Sequence, residues 1–409
     1  MKVLKFAALM LLCLNSITAE ADPGDLYAWW SLVWGPPDPN AGTTIFPSLE
    51  VPLGGRLEGM GTAATAVARD AGFLEANPAV TAVLKNTELA FSHHGWIADT
   101  SLEGVVYTVR FDDLGFGFGG RFLYVPFTSY DEWGERLSRG TISETVATAN
   151  VAYNFLRSYS FPGLAAGASI KVAYRHVPAD IAYGQSILGL MADVGMQTSF
   201  SLAKLQHWSL PNVSVGLVLK NLGLTTMPGE SLPLTASAGL AYAPLRALTL
   251  AADFNLPLSL DSDPSREWDL AFGTNVEVAE FLSLQAGAHF MPGNPRMSVG
   301  ADVDLGTVSV TANYNLDMSA LARNPADKFS VQARLDLGDD GRTDLHRRAD
   351  ELYTEGLREF SLGNLEKAIA RWKEVLAIDE TYTPARQYLA IAEATLETQR
   401  KAAAAGSGQ

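Results

Sequence analysis

From about residue 87 to residue 337 the chain alternates apolar and polar positions. In "TVSVTANYNL" Val308, Val310, Ala312, Tyr314 and Leu316 are separated by Ser309, Thr311, Asn313 and Asn315. "MSVGADVDL" (297–305) and "FSVQARLDL" (329–337) repeat the same period. A period of two held for about nine residues predicts β-strands with one apolar and one polar face. About fourteen such segments are legible, starting near residues 87, 103, 114, 145, 165, 188, 211, 234, 246, 267, 280, 295, 306 and 327.

Alternation does not say which face is inside. A soluble barrel or sandwich hides its apolar face, whereas a transmembrane barrel shows it to lipid. Strands of nine to eleven residues are long enough to cross a bilayer when tilted. Aromatics fall toward the ends of the apolar faces (Phe111, Tyr242, Phe254, Phe290, Tyr314, Phe329), where interfacial girdles need them. The polar faces carry glycine, serine, asparagine and charges, with hardly any lysine. Closure would pair every backbone group, as hydrocarbon demands. The expected fold class is an all-β transmembrane barrel of about fourteen antiparallel strands over residues 87–338. A secreted soluble β protein is the alternative. Connections near residues 112, 244, 278 and 305 are short, while those at 124–144, 177–187, 223–233 and 316–326 are longer; that at 201–210 is an exception. Short turns mark the periplasmic side, so both termini are expected there.

The two ends of the chain differ from this middle. "MKVLKFAALMLLCLNSITAEA" has Lys2 and Lys5, an apolar run from Phe6 to Leu14, and Ala19-Glu20-Ala21. That is the layout of a signal peptide over residues 1–21, and its apolar run is too short to span a bilayer. The only cysteine, Cys13, lies within it and follows Leu12 rather than a small residue, which argues against a lipoprotein. A mature chain without cysteine has no disulfide, thiolate nucleophile or thiolate metal site. The expected location is the outer membrane of a diderm bacterium. The formal net charge of −15 makes nucleic acid an unsuitable partner. Residues 342–401 hold ten Lys/Arg and eleven Asp/Glu, against 18 basic and 33 acidic residues over 22–341. "LGDDGRTD" marks the boundary between these two regions.

A barrel of this size leaks unless something fills it. Residues 22–86 precede the first strand and are expected to form a plug, with a periplasmic extension outside the barrel as the other reading. They begin with "LYAWWSLVWGPP" and end with "RLEGMGTAATAVARDAGFLEANPAV", whose small side chains allow close approach to a wall. Asn77-Pro78 requires an extended or turning backbone. Tyr27, Trp29, Trp30, Leu32 and Trp34 are candidates to line an apolar ligand pocket between plug and wall, with interfacial anchoring as the other reading.

"LGGRLEGMGTAATAVARDAGFLEANPA" followed by "ELAFSHHGWIADTSLEGVVYTVRF" resembles the start of FadL-like outer-membrane proteins of spirochaetes. It is more distantly similar to the PorV/PorQ branch and to FadL transporters. The resemblance covers residues 45–115 well and the remainder through strand pattern. It matches Arg56, Gly59, Met60 and Gly61 to an Arg-x-x-Gly-Met-Gly element, and Asn77, Pro78 and Ala79 to the Asn-Pro-Ala of an N-terminal hatch. The family implies a fourteen-stranded barrel that takes up long-chain fatty acids and other hydrophobic compounds through an apolar pocket and a sideways opening in the wall. The PorV branch implies instead an assembly or secretion accessory protein without transport. Continuation of the chain past the last strand departs from a FadL barrel.

That continuation, residues 342–401, has the spacing of a tetratricopeptide repeat. Leu352, Tyr353 and Gly356 fall on a first helix, Gly363-Asn364 on a turn, and Ala368, Trp372, Val375 and Leu376 on the inner face of a second. A third helix is expected over roughly Pro384 to Gln399, and a disordered tail over 402–409. One repeat plus a helix is fewer than the three usually needed for independent stability. The module is therefore expected to recruit a periplasmic protein or to dimerise.

Other chemistries are weak. Gly115, Gly117 and Gly120 satisfy G-x-G-x-x-G, yet "RFLYVPF" continues a strand and supplies no helix N-terminus for a phosphate. His93 and His94 are adjacent on a strand and point to opposite faces. "DSDPSREWD" lacks the central glycine of a calcium loop, and no G-x-S-x-G is present. The expectation is a non-enzyme with no cofactor or metal, whose partners are outer-membrane lipid, a hydrophobic ligand and a periplasmic protein.

Overall fold

The computed structural model describes residues 44–96, 99–179, 184–205, 211–226, 232–258, 268–291, 295–318 and 327–406. Fourteen antiparallel strands close into one barrel, each paired with its sequence neighbours and β1 with β14. They are β1 Glu88–Gly95, β2 Ser101–Phe111, β3 Leu114–Tyr130, β4 Arg136–Phe155, β5 Leu164–His176, β6 Ile187–Phe200 and β7 Val213–Thr225. The second half comprises β8 Thr235–Leu245, β9 Leu248–Pro257, β10 Asp269–Ala279, β11 Leu282–Phe290, β12 Arg296–Asp304, β13 Val308–Asp317 and β14 Lys328–Asp336.

The barrel is inside-out relative to a soluble one. On β13 Ser309, Thr311, Asn313, Asn315 and Asp317 are buried in the lumen, while Val310 and Tyr314 lie on the outer wall. Phe111, Phe254 and Phe329 are likewise exposed outside, whereas Tyr242 and Phe290 are half-buried. An apolar outer belt over a polar lumen is the arrangement hydrocarbon selects, and closure leaves no sheet edge within it. Among the described residues no helix is long and apolar enough to cross a membrane.

Connections at 112–113, 246–247, 280–281 and 305–307 lie on one rim, the same rim where β1 starts and β14 ends. The chain is tied there: Thr87 N–H donates to Gly338 O at 2.7 Å and Leu337 N–H to Thr87 O at 2.8 Å. One expected boundary is corrected. The long connection anticipated over 124–144 is mostly strand, because β3 runs to Tyr130 and β4 begins at Arg136 rather than near 145. The segment before β1 runs through the lumen from the opposite rim. Ile45 and Phe46 pack on Ile187 and Met191 at the start of β6, and Lys85 and Asn86 emerge beside Asp336.

Beyond β14 stand a short lumenal helix's later counterparts, three longer helices. With α1 given to Gly55–Gly59 in the lumen, these are α2 Arg342–Ser361, α3 Leu365–Ile378 and α4 Thr383–Gly406. Helix α4 passes the boundary where disorder was expected, since its backbone stays helical through Gly406. Leu352, Ala368, Trp372 and Val375 are buried in one core with Tyr382, Ala385 and Ala392. A Cβ on Gly356 would lie 2.4 Å from Trp372 Nε1, so only glycine lets the indole cross α2 there. Gly363 turns the chain between α2 and α3 at φ 80°. The helices touch the barrel rim: the Tyr159 and Tyr382 rings are 5.0 Å apart, and Arg342 donates to the carbonyls of Arg110 and Lys85.

Candidate functional site

The lumenal segment, residues 44–86, is interrupted too often by glycine and proline for long helices. It folds as α1 and three 3-10 turns, Pro47–Glu50, Ala71–Glu75 and Pro78–Ala82. Asp70 caps the second by accepting Gly72 N–H at 3.1 Å. Asn77 caps the third by accepting Ala79 N–H at 3.0 Å, with Pro78 supplying a pre-set φ at its first position.

Irregular backbone inside a barrel leaves N–H and C=O groups without a ladder, and each must find a partner. Lumenal side chains provide them. Asp253 Oδ2 accepts the N–H groups of Ala64 and Thr65, both at 2.8 Å. Gln197 donates to Ala66 O at 2.9 Å, Asn313 to Gly55 O at 2.9 Å, and Asn150 to Pro78 O at 3.0 Å. Asn77 donates in turn to Thr65 O at 2.8 Å and to the strand carbonyl of Met196 at 3.1 Å.

Such bonds require the plug backbone to lie against the wall, and glycines make that possible. A Cβ on Gly115 would sit 2.2 Å from Thr81, one on Gly167 2.3 Å from Pro78 O, and one on Gly216 2.2 Å from Thr65 O. On Gly287 it would be 2.2 Å from Gly61 N. These four glycines come from β3, β5, β7 and β11, at inward positions of the period-two pattern. The sequence offered them only as strand glycines; their inward parity was the signal that could have singled them out. Gly115, which also begins the G-x-G-x-x-G match, serves contact with the plug.

Buried charge closes the remaining seams. Arg56 reaches Asp302 at 2.5 Å and Asp70 at 3.7 Å, while Arg334 reaches Asp70 at 2.5 Å and Glu88 at 3.7 Å. Glu58 is buried and accepts the Ser330 hydroxyl. Loss of water around its carboxyl pushes its pKa up to about 7. Of the other motif residues, Met60 is buried, and a Cβ on Gly59 would meet Asn313 Oδ1 at 2.7 Å. Gly61 adopts φ 63° where a Cβ would be 2.5 Å from Ala288 N. Pro78 and Ala79 are buried against β4 and β5. The structure thus collects Arg56, Gly59, Met60 and Gly61 on the β10–β14 side of the lumen and Asn77 to Ala79 on the β3–β6 side. Tyr27, Trp29, Trp30, Leu32 and Trp34 lie outside the described residues. Leu352, Gly356, Gly363, Ala368 and Trp372 belong to the helical module, apart from the lumen.

The outer wall carries an apolar groove of about 510 Å³ across β6 to β10. Its floor is low because the outward-facing Ala238 and Ala252 present only methyl groups; beneath them the backbones of Gly216 and Gly239 pair, with no side chain on the lumenal side. Met196, Leu217, Leu240, Phe254 and Phe272 raise its sides. Behind that floor lies the plug backbone at Thr65 and Ala66, which the Cβ positions of Gly216 and Gly239 would strike. One sheet's thickness separates lipid from plug there.

The model of the family described as "Uncharacterised protein family (UPF0164)" matches residues 38–339, which is the plug and the whole barrel. The chain belongs to UPF0164. One UPF0164 protein of Treponema pallidum (strain Nichols) is 29% identical over 364 residues, covering 86% of this chain and 83% of that one. Another from the same organism is 27% identical over 391 residues, covering 86% and 76%. The family match ends at residue 339, just before α2 begins at Arg342. Among solved structures the chain is similar to the Pseudomonas putida toluene transporter TodX, with 13% identity, a TM-score of 0.47 and coverage of 69% of this chain and 97% of that one. It is also similar to the CymD monoaromatic hydrocarbon channel, at 13% identity, a TM-score of 0.49, and coverage of 70% and 98%.

Proposed function

We infer that this UPF0164 protein is an outer-membrane channel for hydrophobic compounds, with long-chain fatty acids as the expected class. The observation that carries this reading is the lipid-facing groove whose glycine floor is backed by plug residues Thr65 and Ala66. An apolar compound enters such a groove at no desolvation cost, and a hydrophobic site with few polar groups suits it. The rim that holds the short turns and the helices faces the periplasm on this reading, following the usual placement of short turns. The helices then present a surface for a periplasmic partner of the tetratricopeptide kind, beside the exit of the plug.

Ala238→Trp fills the groove from the lipid face without touching the plug, because Ala238 is exposed on the outer wall. In cells or proteoliposomes given radiolabelled oleate, the variant should take up several-fold less than the unaltered chain. Mass spectrometry of lipids released from the purified protein should show bound acyl compounds. Uptake equal to empty vesicles for the unaltered chain, with no bound acyl compound, would reject transport and favour a PorV-like accessory role. Digestion of α2 to α4 by protease added to intact cells would reverse the proposed orientation.

A further inference from the structure

Strands β3 and β4 are the longest of the barrel, at 17 and 20 residues. Pairing of β3 with β2 stops at Tyr124, opposite Ser101, and pairing of β4 with β5 stops at Ser143, opposite His176. Residues 125–130 and 136–142 continue as a two-stranded ribbon, with Val125 opposite Ile142 and Tyr130 opposite Arg136. At about 3.3 Å per residue it rises roughly 20 Å above the rim that lies opposite the helical module. At its tip Trp133 is 83% exposed, Leu137 67% and Tyr130 62%.

A free two-stranded ribbon is marginal in water, and a third strand is what stabilises such a sheet. The two edges of this one are not equivalent. Ser138 N–H donates to Ser129 Oγ at 3.2 Å, so Ser138 faces β3. Alternation along an antiparallel strand then turns the N–H and C=O groups of Leu137, Arg139 and Thr141 to the opposite side. Among the described residues that side has no strand beside it above Ser143. By the same alternation Pro126, opposite Thr141, sits on the outer edge of β3 and offers no N–H there. The β3 edge is interrupted at Pro126, and among the described residues the β4 edge is open. Phe127 also lies over Gly140, whose Cβ would meet the ring at 2.4 Å, which holds the ribbon extended toward its tip.

We propose that the open edge of β4, Arg136 to Ile142, accepts a third strand from an extended acidic segment of a second protein. Main-chain bonds to Leu137, Arg139 and Thr141 supply its affinity, as in other strand additions. Arg136 and Arg139, both exposed and three residues apart, select acidic residues at the same spacing. A second copy of this chain is disfavoured, because two β4 edges pairing about Arg139 set arginine against arginine.

The test uses the full chain refolded in detergent and two immobilised peptides. One carries glutamates three residues apart on a valine-threonine background, and the other carries lysines instead. The glutamate peptide should bind at least tenfold tighter. Thr141→Pro removes one edge N–H without touching a β3 bond or either arginine, and should lower that binding at least tenfold. Arg136→Glu combined with Arg139→Glu should transfer preference to the lysine peptide, which keeps the test decisive if the proline variant does not fold. Equal binding of the two peptides, no binding of either, or full binding by Thr141→Pro would overturn the proposal. Light scattering that shows a dimer dissolved by Thr141→Pro would overturn it in favour of self-association.

Discussion

Asn77 is the best single probe of how the plug is held. It is fully buried and makes three hydrogen bonds, one accepted from Ala79 N–H and two donated to Thr65 O and Met196 O. Asn77→Ala removes the cap of the last plug turn, worth about 1 kcal/mol. It also strips partners from buried groups, at about 1–3 kcal/mol each where none replaces them. A total of about 3 kcal/mol is a conservative figure, and it corresponds to roughly a hundredfold rise in the open population of that segment. Hydrogen exchange of the refolded protein reads this directly, since local opening governs exchange. The amides of Val80, Val83 and Leu84, bonded to Asn77 O and Val80 O, should lose about two orders of magnitude of protection. Amides of β1 and β14, paired with each other, should keep theirs. Asn77→Asp retains the acceptor but sets a buried carboxyl oxygen against the Thr65 and Met196 carbonyls, so it should lose at least as much protection as Asn77→Ala. Unchanged protection at Val80 to Leu84 would refute the assignment of Asn77 as an anchor, and uniform loss across the strands would show that plug and barrel open as one unit.

Three further outcomes follow from the same geometry. Gly115→Ala drives a methyl into the Thr81 backbone, so planar bilayers should show larger or more frequent ion conductance while the protein stays heat-modifiable on gels. Because the Glu58 carboxyl titrates near 7 when folded and at 4.5 when free, the folded state binds the extra proton between those values. The Glu58 contribution to stability should therefore be full below pH 4.5 and fall by roughly 3 kcal/mol as pH rises to about 7, so Glu58→Gln should make the decline across that window shallower by about that amount in denaturant titrations. Gly356→Ala forces a methyl against the buried Trp372 indole and should cost about 1–3 kcal/mol, seen as helical signal lost at lower temperature while the β signal persists.

The barrel was legible because lipid outside and polar contacts inside impose one period on every strand. Predicted starts at 87, 114, 165, 188 and 327 lie within one residue of Glu88, Leu114, Leu164, Ile187 and Lys328. Strand β4 was misjudged by nine residues because Arg136 to Ile142 have no lipid on one side and no lumen on the other, so nothing enforces alternation there. The plug's seat was hidden for a different reason. Arg56 and Asp302 are 246 positions apart, and Ser330 and Glu58 are 272 apart. Only the closure of β14 on β1 brings such pairs together. Small residues in "GMGTAATAVA" announced close packing, but not that Gly216 and Gly287 would be its counterparts.

The plug is not held uniformly, and that bears on how the proposed channel would open. Residues 54–61 and 69–75 are pinned by buried charge, through Arg56, Asp70, Arg334 and the pair of Arg121 with Glu75. Truncating one partner of a buried pair strands the other, so these parts resist displacement. Ala63 to Val67 carry no side-chain charge; two N–H bonds to Asp253 and carbonyl bonds to Gln197 and Asn77 hold them. This is the stretch directly behind the glycine floor of the outer groove. The two bonds from Gln197 and Asn77 contribute about 1 kcal/mol each net, and the two accepted by the Asp253 carboxyl about 1.5–3 each where it is ionised. On the proposed reading, a compound in the groove has to displace only this uncharged stretch, while the ion pairs on either side keep the remainder of the plug in place and the barrel closed to water.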